Sequence, residues 1–545
     1  MRRKLICLLL CLTAALLPIA MTGCGSDNST DTTDEEASAR PAVSINLWLI
    51  SEKEVSAETE AAIEEAFNEM TQSKFTTKVD LVYFTEDEYY AALDAKLKAA
   101  AEYKENNAAS QIVLPGIAES TEETEETTAE TIVNELGQRL LKYPDIGEGQ
   151  LDIILLSGKD KLEAYASAGQ LASMDTNLNS TSKILKDYIY PSFLEQTKYN
   201  KNTYAIPNNH VIGEYTYLLV NKALAEKYYI DTASLTTLAS CAALIEDIGK
   251  NEPDVAPVLS YVDPVNMHYW LGDDSMSIFA SYVPAVATLG SRTTMRSAFD
   301  TMNFTDHMLF MQKCKDNGWF AKDPENTETF GVAVMTGDYS LRDRYAEDYE
   351  VKVLSVPTLT EEIAYESMFA VTSYSANFDR AMEVITLLNT NAEAKNLLQY
   401  GVEGVHYEFD DDGNMIYLND NYRMNNLYTG NALLAYPAPG EAADIRENGK
   451  AANRDSRISP YFGFSDVADS IDTDLLDDMR ELSDAYIEKM NACTSEAELA
   501  AFFVNVKGEL YSDETYKAAL STAEDSASPY AVYSRWFEKL WPSAE

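Results

Sequence analysis

The sequence predicts an α/β chain of two lobes, on three observations. At 545 residues the chain exceeds what one ordinary core organises, and an apolar content of 46% is enough to fill two. Apolar runs of strand length alternate with segments of helical period, the order that builds a parallel sheet covered by helices. At residues 203–224, TYAIPNNHVIGEYTYLLVNKAL, two β-prone runs flank a polar corner, which reads as the passage from one lobe into the other.

Taken in order, Arg2, Arg3 and Lys4 precede the apolar run Leu5 to Met21, so residues 1–23 are expected to be a secretory signal rather than a spanning helix. The ending Met21-Thr22-Gly23-Cys24 resembles a bacterial lipobox, in which the cysteine, here Cys24, receives lipid after cleavage. Residues 24–41 are polar and acidic with few apolar side chains to offset their ordering entropy, and predict a disordered tether. SINLWLI then opens the body as a buried central strand. Ile63, Phe67 and Met70 recur at helical spacing, KVDLVYF reads as a second strand, and EDEYYAALDAKLKAAAEY as a second helix. Residues 104–150, with the Glu/Thr tract AESTEETEETTAET, interrupt the alternation as a mobile acidic surface insertion.

The alternation resumes at LDIILLSGKDKLEAYASAGQ: Asp152 to Leu156 is a strand, Asp160 begins a helix and Gly169 ends it. That order puts Ser157, Gly158 and Asp160 at the carboxyl edge of the sheet, where open α/β sheets bind ligands. In the corner that follows, Pro207 is expected to end ladder pairing, with Asn208, Asn209 and His210 beyond it. GVAVMTGDYS and VKVLSVPTL read as strand, loop, helix, strand, and FAVTSYS as a further strand. AMEVITLLNTNAEAKNLLQYG reads as one helix closed by Gly401. EFDDDGN partly fits a calcium loop, but the twelfth position is Asn419, so a hairpin turn is expected instead. Leu475, Met479, Leu482 and Tyr486 share one helix face, and Ser495 with Glu498 forms a capping box.

Composition excludes several classes. Of the 42 basic residues three leave with the signal, so the mature chain carries 39 against 89 acidic residues, a net of −50. Such a surface repels nucleic acid and anionic lipid. Once Cys7, Cys11 and Cys24 are set aside, Cys241, Cys314 and Cys493 are too few and too scattered for a disulfide framework. His210, His268, His307 and His406 lack metal-ligand spacing, so neither a metal nor a cofactor is expected.

INLWLISEK, DIILLSGKDKLEAYASAGQL, NTYAIPNNHVIGEYTYLLVNKAL, GVAVMTGDY and QYGVEGVHYEF, in that order and spacing, together resemble the family 1 extracellular solute-binding proteins of ABC importers. The resemblance implies a two-lobe periplasmic-binding-protein-like fold of type II, each lobe a mixed sheet flanked by helices, hinged by crossing segments. Lobe one would comprise 42–214 and 364–405, lobe two 215–363 and 406–545, with crossings near Glu214, Phe369 and His406. It further implies a lipid-anchored, monomeric capture protein on the outer face of the membrane of a Gram-positive cell, delivering a sugar to ABC permease subunits. Glu52, Lys53 and Asp160 stand where the family holds sugar hydroxyls, Glu214 matches a hinge glutamate, and Tyr339 replaces a tryptophan that stacks on a sugar ring. No tryptophan stands near Ser157, which argues against a linear glucan.

A neutral sugar offers hydroxyls at its edge and CH faces above and below, so its site needs charged or amide groups and aromatic rings. Asn208, Trp270, Trp319, Tyr339, Tyr374 and Tyr428 fall in loops or strand ends that could supply them. Two other readings stay open at this point: a surface glycoside hydrolase, which needs only two suitably placed carboxylates, and capture of a peptide or polyamine.

Overall fold

The computed structural model describes residues 40–108, 131–133, 139–259, 285–286, 295–459, 461–523 and 525–540. The expected signal segment, Cys24, Trp270 and most of the tether lie outside them. Two separate main sheets organise the described chain.

The first sheet runs in the order Thr77–Thr85, Val43–Ser51, Ile153–Leu156, Met368–Val371, Ala205–Pro207. All nine residues of Val43–Ser51 are buried, as a central strand covered on both faces requires. It pairs in parallel with Thr77–Thr85 along its whole length, but with Ile153–Leu156 only at Leu47 and Trp48. Met368–Val371 enters antiparallel to both neighbours, so the sheet is mixed. Pro207 pairs opposite Met368 as the last residue of an edge strand, where a missing N–H is tolerated, and the Asn208 N–H continues the ladder to Ser367 O at 2.9 Å. The single helix expected from Ala381 to Tyr400 is two, Phe378–Thr390 and Ala392–Tyr400, because extended Asn391 breaks the first and its side chain caps the second.

The second sheet has the order Tyr349–Ser355, Tyr215–Asn221, Phe330–Gly337, Ala256–Val258. Its period-two pattern sorts cleanly. Leu218, Val220, Val332 and Val334 pack on the helix Ala242–Asn251, and Trp319 is buried in the same core. Tyr215, Tyr217, Leu219 and Ala333 pack on the opposite face with Leu341 and Ala452. Helices Met302–Asp316, Thr473–Asn491, Glu496–Ser512 and Glu514–Ala519 build a third core around Phe299, Phe304, Tyr486 and Tyr516. Ser495 Oγ accepts from Glu498 N there, while Glu498 reaches back to Thr494 N, one residue before the position a capping box uses.

Three sequence expectations are corrected. Phe369 is no crossing point: it is fully buried inside the first sheet, and the chain passes between the sheets earlier, between Ser355 and Ser367. His406 is not one either. Its Nδ1 accepts from Val402 N at 3.0 Å, folding it back on the preceding helix, and Tyr422 and Met424 beyond it belong to the core of the first sheet. The segment from there to about Tyr436 is held to helix Ala392–Tyr400 by buried polar groups, including Asn396, which donates to Leu434 O at 3.0 Å and accepts from Tyr436 N at 2.7 Å. The expected insertion starts later than residue 104, since the helix from Glu86 continues to Ala108, and it contains a hairpin pairing Thr131–Val133 with Arg139–Leu141.

EFDDDGN is a hairpin turn between Tyr407–Phe409 and Met415–Tyr417, with Asp410 Oδ1 accepting from the N–H groups of Asp412 and Asn414.

Candidate ligand-binding site

The carboxyl edge of the first sheet collects chemistry because its parallel strands all end there. Glu52 and Lys53 follow Val43–Ser51, Glu86 follows Thr77–Thr85, Ser157 to Asp160 follow Ile153–Leu156, and Asn208 follows Ala205–Pro207. Antiparallel Met368–Val371 brings its amino end to the same edge, and with it Glu366 and Ser367. The chain runs from Thr77–Thr85 back across Val43–Ser51 to reach Ile153–Leu156, so the crevice between those last two strands is a topological switch point, the usual ligand position in such sheets.

Tyrosines fill that crevice. Past the register Trp48 to Ile154 the two strands no longer pair, which leaves the backbone of Leu155 and Ser157 without a strand partner on that side. Tyr89 Oη accepts from Leu155 N and donates to Leu155 O, both at 2.8 Å. Tyr90 Oη does the same for Ser157, at 2.8 and 3.2 Å. Tyr89 is fully buried, whereas Tyr90 is partly exposed, with the Lys161 ammonium 4.6 Å from its ring centre. Gly158 sits at φ +92° between strand and helix, and its N–H donates to Tyr365 O at 2.7 Å. A Cβ there would meet nothing within 4 Å, so the backbone angle rather than space calls for glycine.

Tyr428 joins this edge from a distant part of the chain. It lies in the 3₁₀ turn Asn426–Thr429, whose Leu427 carbonyl accepts from Asn208 Nδ2 at 3.1 Å and from Ser367 Oγ at 2.7 Å. Gly430 closes the turn at φ +105°, and a Cβ there would lie 2.4 Å from Leu388 O. Burial raises the Tyr428 phenol pKa, and the carboxylates Glu86, Glu366 and Glu52 raise it further. Asn208 is fully buried; its Nδ2 also donates to Ser367 Oγ at 2.9 Å, and its Oδ1 has no hydrogen-bond partner among the described residues. Beside it His210 Nδ1 meets Asn208 O at 2.8 Å, with Nε2 3.3 Å from Glu366. Glu52 and Lys53 also line a small cavity of about 60 Å³ with Asn421, Tyr422 and Arg423.

The linkers Asn208–Glu214 and Val356–Ser367 both run from this edge to the edge of the second sheet where Tyr215, Gly337 and Ser355 stand. Exposed Glu214 lies in the first of them. On the second edge Tyr215 donates to Asp455 Oδ2 at 2.8 Å, and Tyr339 donates to the same oxygen. Those bonds, Tyr339's first, hold the Asp455 carboxyl below its ordinary range. The Tyr215 and Tyr339 rings are 5.1 Å apart, and the Arg342 guanidinium covers Tyr339 at 4.3 Å. Asp455 ends the helix Ile445–Asp455, which is tied to the first linker: Asn453 accepts from Ile212 N at 2.9 Å and donates to His210 O at 2.7 Å.

Of the residues picked from sequence, Glu52, Lys53, Asp160, Asn208 and Tyr428 therefore stand on the first edge, Glu214 on a linker and Tyr339 on the second edge. Tyr374 does not join them. Because Met368–Val371 runs antiparallel, Tyr374 lies beyond its carboxyl end at the opposite edge, where its carbonyl accepts from Leu151 N and Lys104 approaches its ring at 5.5 Å. Trp319, buried in the second core, is also away from both edges. Sequence reading missed Tyr90, Glu366, Tyr215 and Asp455. The signal for Tyr90 was available: a tyrosine just past the first turn of a helix that directly follows a parallel strand.

No family model matches the chain. A carbohydrate ABC transporter substrate-binding protein of Streptococcus pneumoniae serotype 4 (strain ATCC BAA-334 / TIGR4) is 24% identical over 373 residues, covering 64% of this chain and 75% of that protein. Among solved structures, an N-glycan transport solute binding protein from Streptococcus pneumoniae aligns at TM-score 0.49 and 17% identity, over 92% of this chain and 100% of the other. A family 1 extracellular solute-binding protein from Alicyclobacillus acidocaldarius aligns at TM-score 0.39 and 11% identity, over 86% and 99%. The chain is a relative of a carbohydrate ABC transporter substrate-binding protein, and in the sequence of its globular part it resembles the family 1 extracellular solute-binding proteins.

Proposed function

We propose that the chain captures a carbohydrate, an oligosaccharide, between the two sheet edges that the linkers join and delivers it to an ABC permease without chemical change. The observation that carries the reading is the assembly at one sheet edge of Tyr90, Tyr428, Asn208, Glu52 and Asp160, in a relative of a carbohydrate-binding transport protein. Rings cover the CH faces of a sugar, while carboxylates and amides each satisfy hydroxyls that a less polar pocket would strand. In this reading the lobes are the bodies built on the two sheets, with residues from His406 to about Tyr436 assigned to the first, and Glu214 lies at the hinge. Closure requires only that the ligand prefer the closed state, by about 5.5 kcal/mol to swing a 1:99 population to 99:1.

Thermal unfolding against a sugar panel tests the reading: an oligosaccharide at 100 times its Kd should add about 2.7 kcal/mol. Stabilisation by peptides or polyamines alone would overturn the carbohydrate assignment, and release of reducing ends by the purified protein would overturn the capture assignment in favour of hydrolysis.

The same reading includes a lipid anchor at Cys24, supported by the lipobox-like Met21-Thr22-Gly23-Cys24. Cys24→Ala is expected to release the chain into the medium; a variant that stays in the membrane fraction argues for a different anchor.

A further inference from the structure

We infer that the site at the first sheet edge selects against sugars that carry a carboxylate, so that its ligand is an uncharged oligosaccharide. The inference deepens the carbohydrate reading and rests on it.

Its basis is the local balance of charge at that edge. Glu52, Glu86 and Glu366 flank strand ends on the edge where Tyr428 stands, and Asp160 lies in the first turn of the neighbouring helix. Glu52 and Glu86 are exposed and have no ion-pair partner among the described residues; Glu366 has only His210, 3.3 Å away. Against them stand two cations without a salt bridge among the described residues, Lys53 and Lys161. The others nearby are engaged: Lys159 by Glu361 at 2.6 Å and by Asp466, and Arg423 by Asp420 at 3.2 Å. Across the linkers the Asp455 carboxyl is held below its ordinary range, Glu214 directly precedes its partner Tyr215, and Arg342 is the cation over Tyr339.

Helix amino ends could counter this by attracting anions. Here the first turn of Glu86–Ala108 already holds Glu86, Asp87 and Glu88, and that of Lys159–Ser167 holds Asp160. Their carboxylates occupy the field an incoming anion would use. Asn208 Oδ1 at the same edge is buried without a hydrogen-bond partner among the described residues, an acceptor that a hydroxyl can satisfy and a carboxylate, with no proton to give, cannot. Glu52, Glu86 and Asp160 are exposed and Glu366 is half-exposed, so their repulsion acts through solvent and is strongest at low salt.

The test measures affinity by calorimetry for matched pairs: lactose with sialyllactose, and maltotriose with its terminally glucuronate-bearing form. The neutral member should bind about tenfold or more tightly, with the ratio shrinking at high salt. Glu86→Gln, and separately Glu366→Gln, should shrink the ratio by about threefold each, whatever either does to the affinity for the neutral sugar. Equal or tighter binding of the acidic member overturns the inference and leaves the carbohydrate reading standing, as does a ratio that neither variant moves. If no neutral member binds, the carbohydrate reading fails and the inference fails with it.

Discussion

Tyr89→Phe should destabilise the protein by about 2–4 kcal/mol although it removes a single oxygen. The ring is buried and its packing against Phe84 and Tyr90, at 6.0 and 5.2 Å between centroids, is kept by phenylalanine. What is lost is the partner of both the N–H and the C=O of Leu155, each 2.8 Å from the hydroxyl. Leu155 is itself fully buried, so water has no ready access, and an orphaned buried backbone group costs about 1–3 kcal/mol. Tyr90→Phe provides the contrast. It strips the same two bonds from Ser157, but both residues are partly exposed and water can replace the hydroxyl, so the expected cost is below about 1 kcal/mol. Urea unfolding with unchanged m-values distinguishes the two; a Tyr89→Phe midpoint close to wild type would show that the diverging strands find another partner for Leu155.

The same divergence explains what the sequence made legible. A strand is announced by its apolar period and a following helix by its cap and amphipathic face, so the positions of Glu52 and Asp160 just past strand ends could be read directly. The direction in which a strand enters the sheet leaves no mark on its apolar pattern. FAVTSYS looked like one more strand with a useful tyrosine at its end, yet Met368–Val371 runs antiparallel, carrying Tyr374 away from the ligand edge and Glu366 toward it. Nor does local pattern reveal which polar residues will be buried. Lys395, Asn396 and Gln399 are polar residues within one helix, yet all three are buried because the chain beyond His406 returns to cover them. That return, invisible to periodicity, brings Tyr428 to the candidate site.

Lys395→Met is accordingly expected to weaken both the fold and the site. Lys395 is completely buried with no carboxylate partner among the described residues, and its Nζ reaches Gln399 Oε1 at 2.7 Å, the Asn426 carbonyl and side-chain oxygens at 2.9 Å each, and Thr429 Oγ1. Three of those four contacts belong to the turn that presents Tyr428 and lends the Leu427 carbonyl to Asn208 and Ser367. Methionine keeps most of the stem's volume but leaves these acceptors dry, at a gross cost of about 1–3 kcal/mol per buried group. The desolvation relieved by removing the amine offsets part of this, leaving a net loss of about 2–4 kcal/mol. Sugar affinity should fall by about tenfold as well, since Tyr428 would no longer be held in place and its ordering would have to be supplied on binding. The pH dependence identifies the cause. Burial, and the Arg446 guanidinium, push the Lys395 pKa well below the ordinary lysine value, so between the folded and unfolded pKa the unfolded chain binds the extra proton. Wild-type stability must then rise with pH through that window, and the deficit of Lys395→Met should be largest near pH 10 and shrink toward neutrality. A deficit that is the same at both ends, with ligand affinity unchanged, would reduce Lys395 to a filler of space and detach it from the ordering of Tyr428.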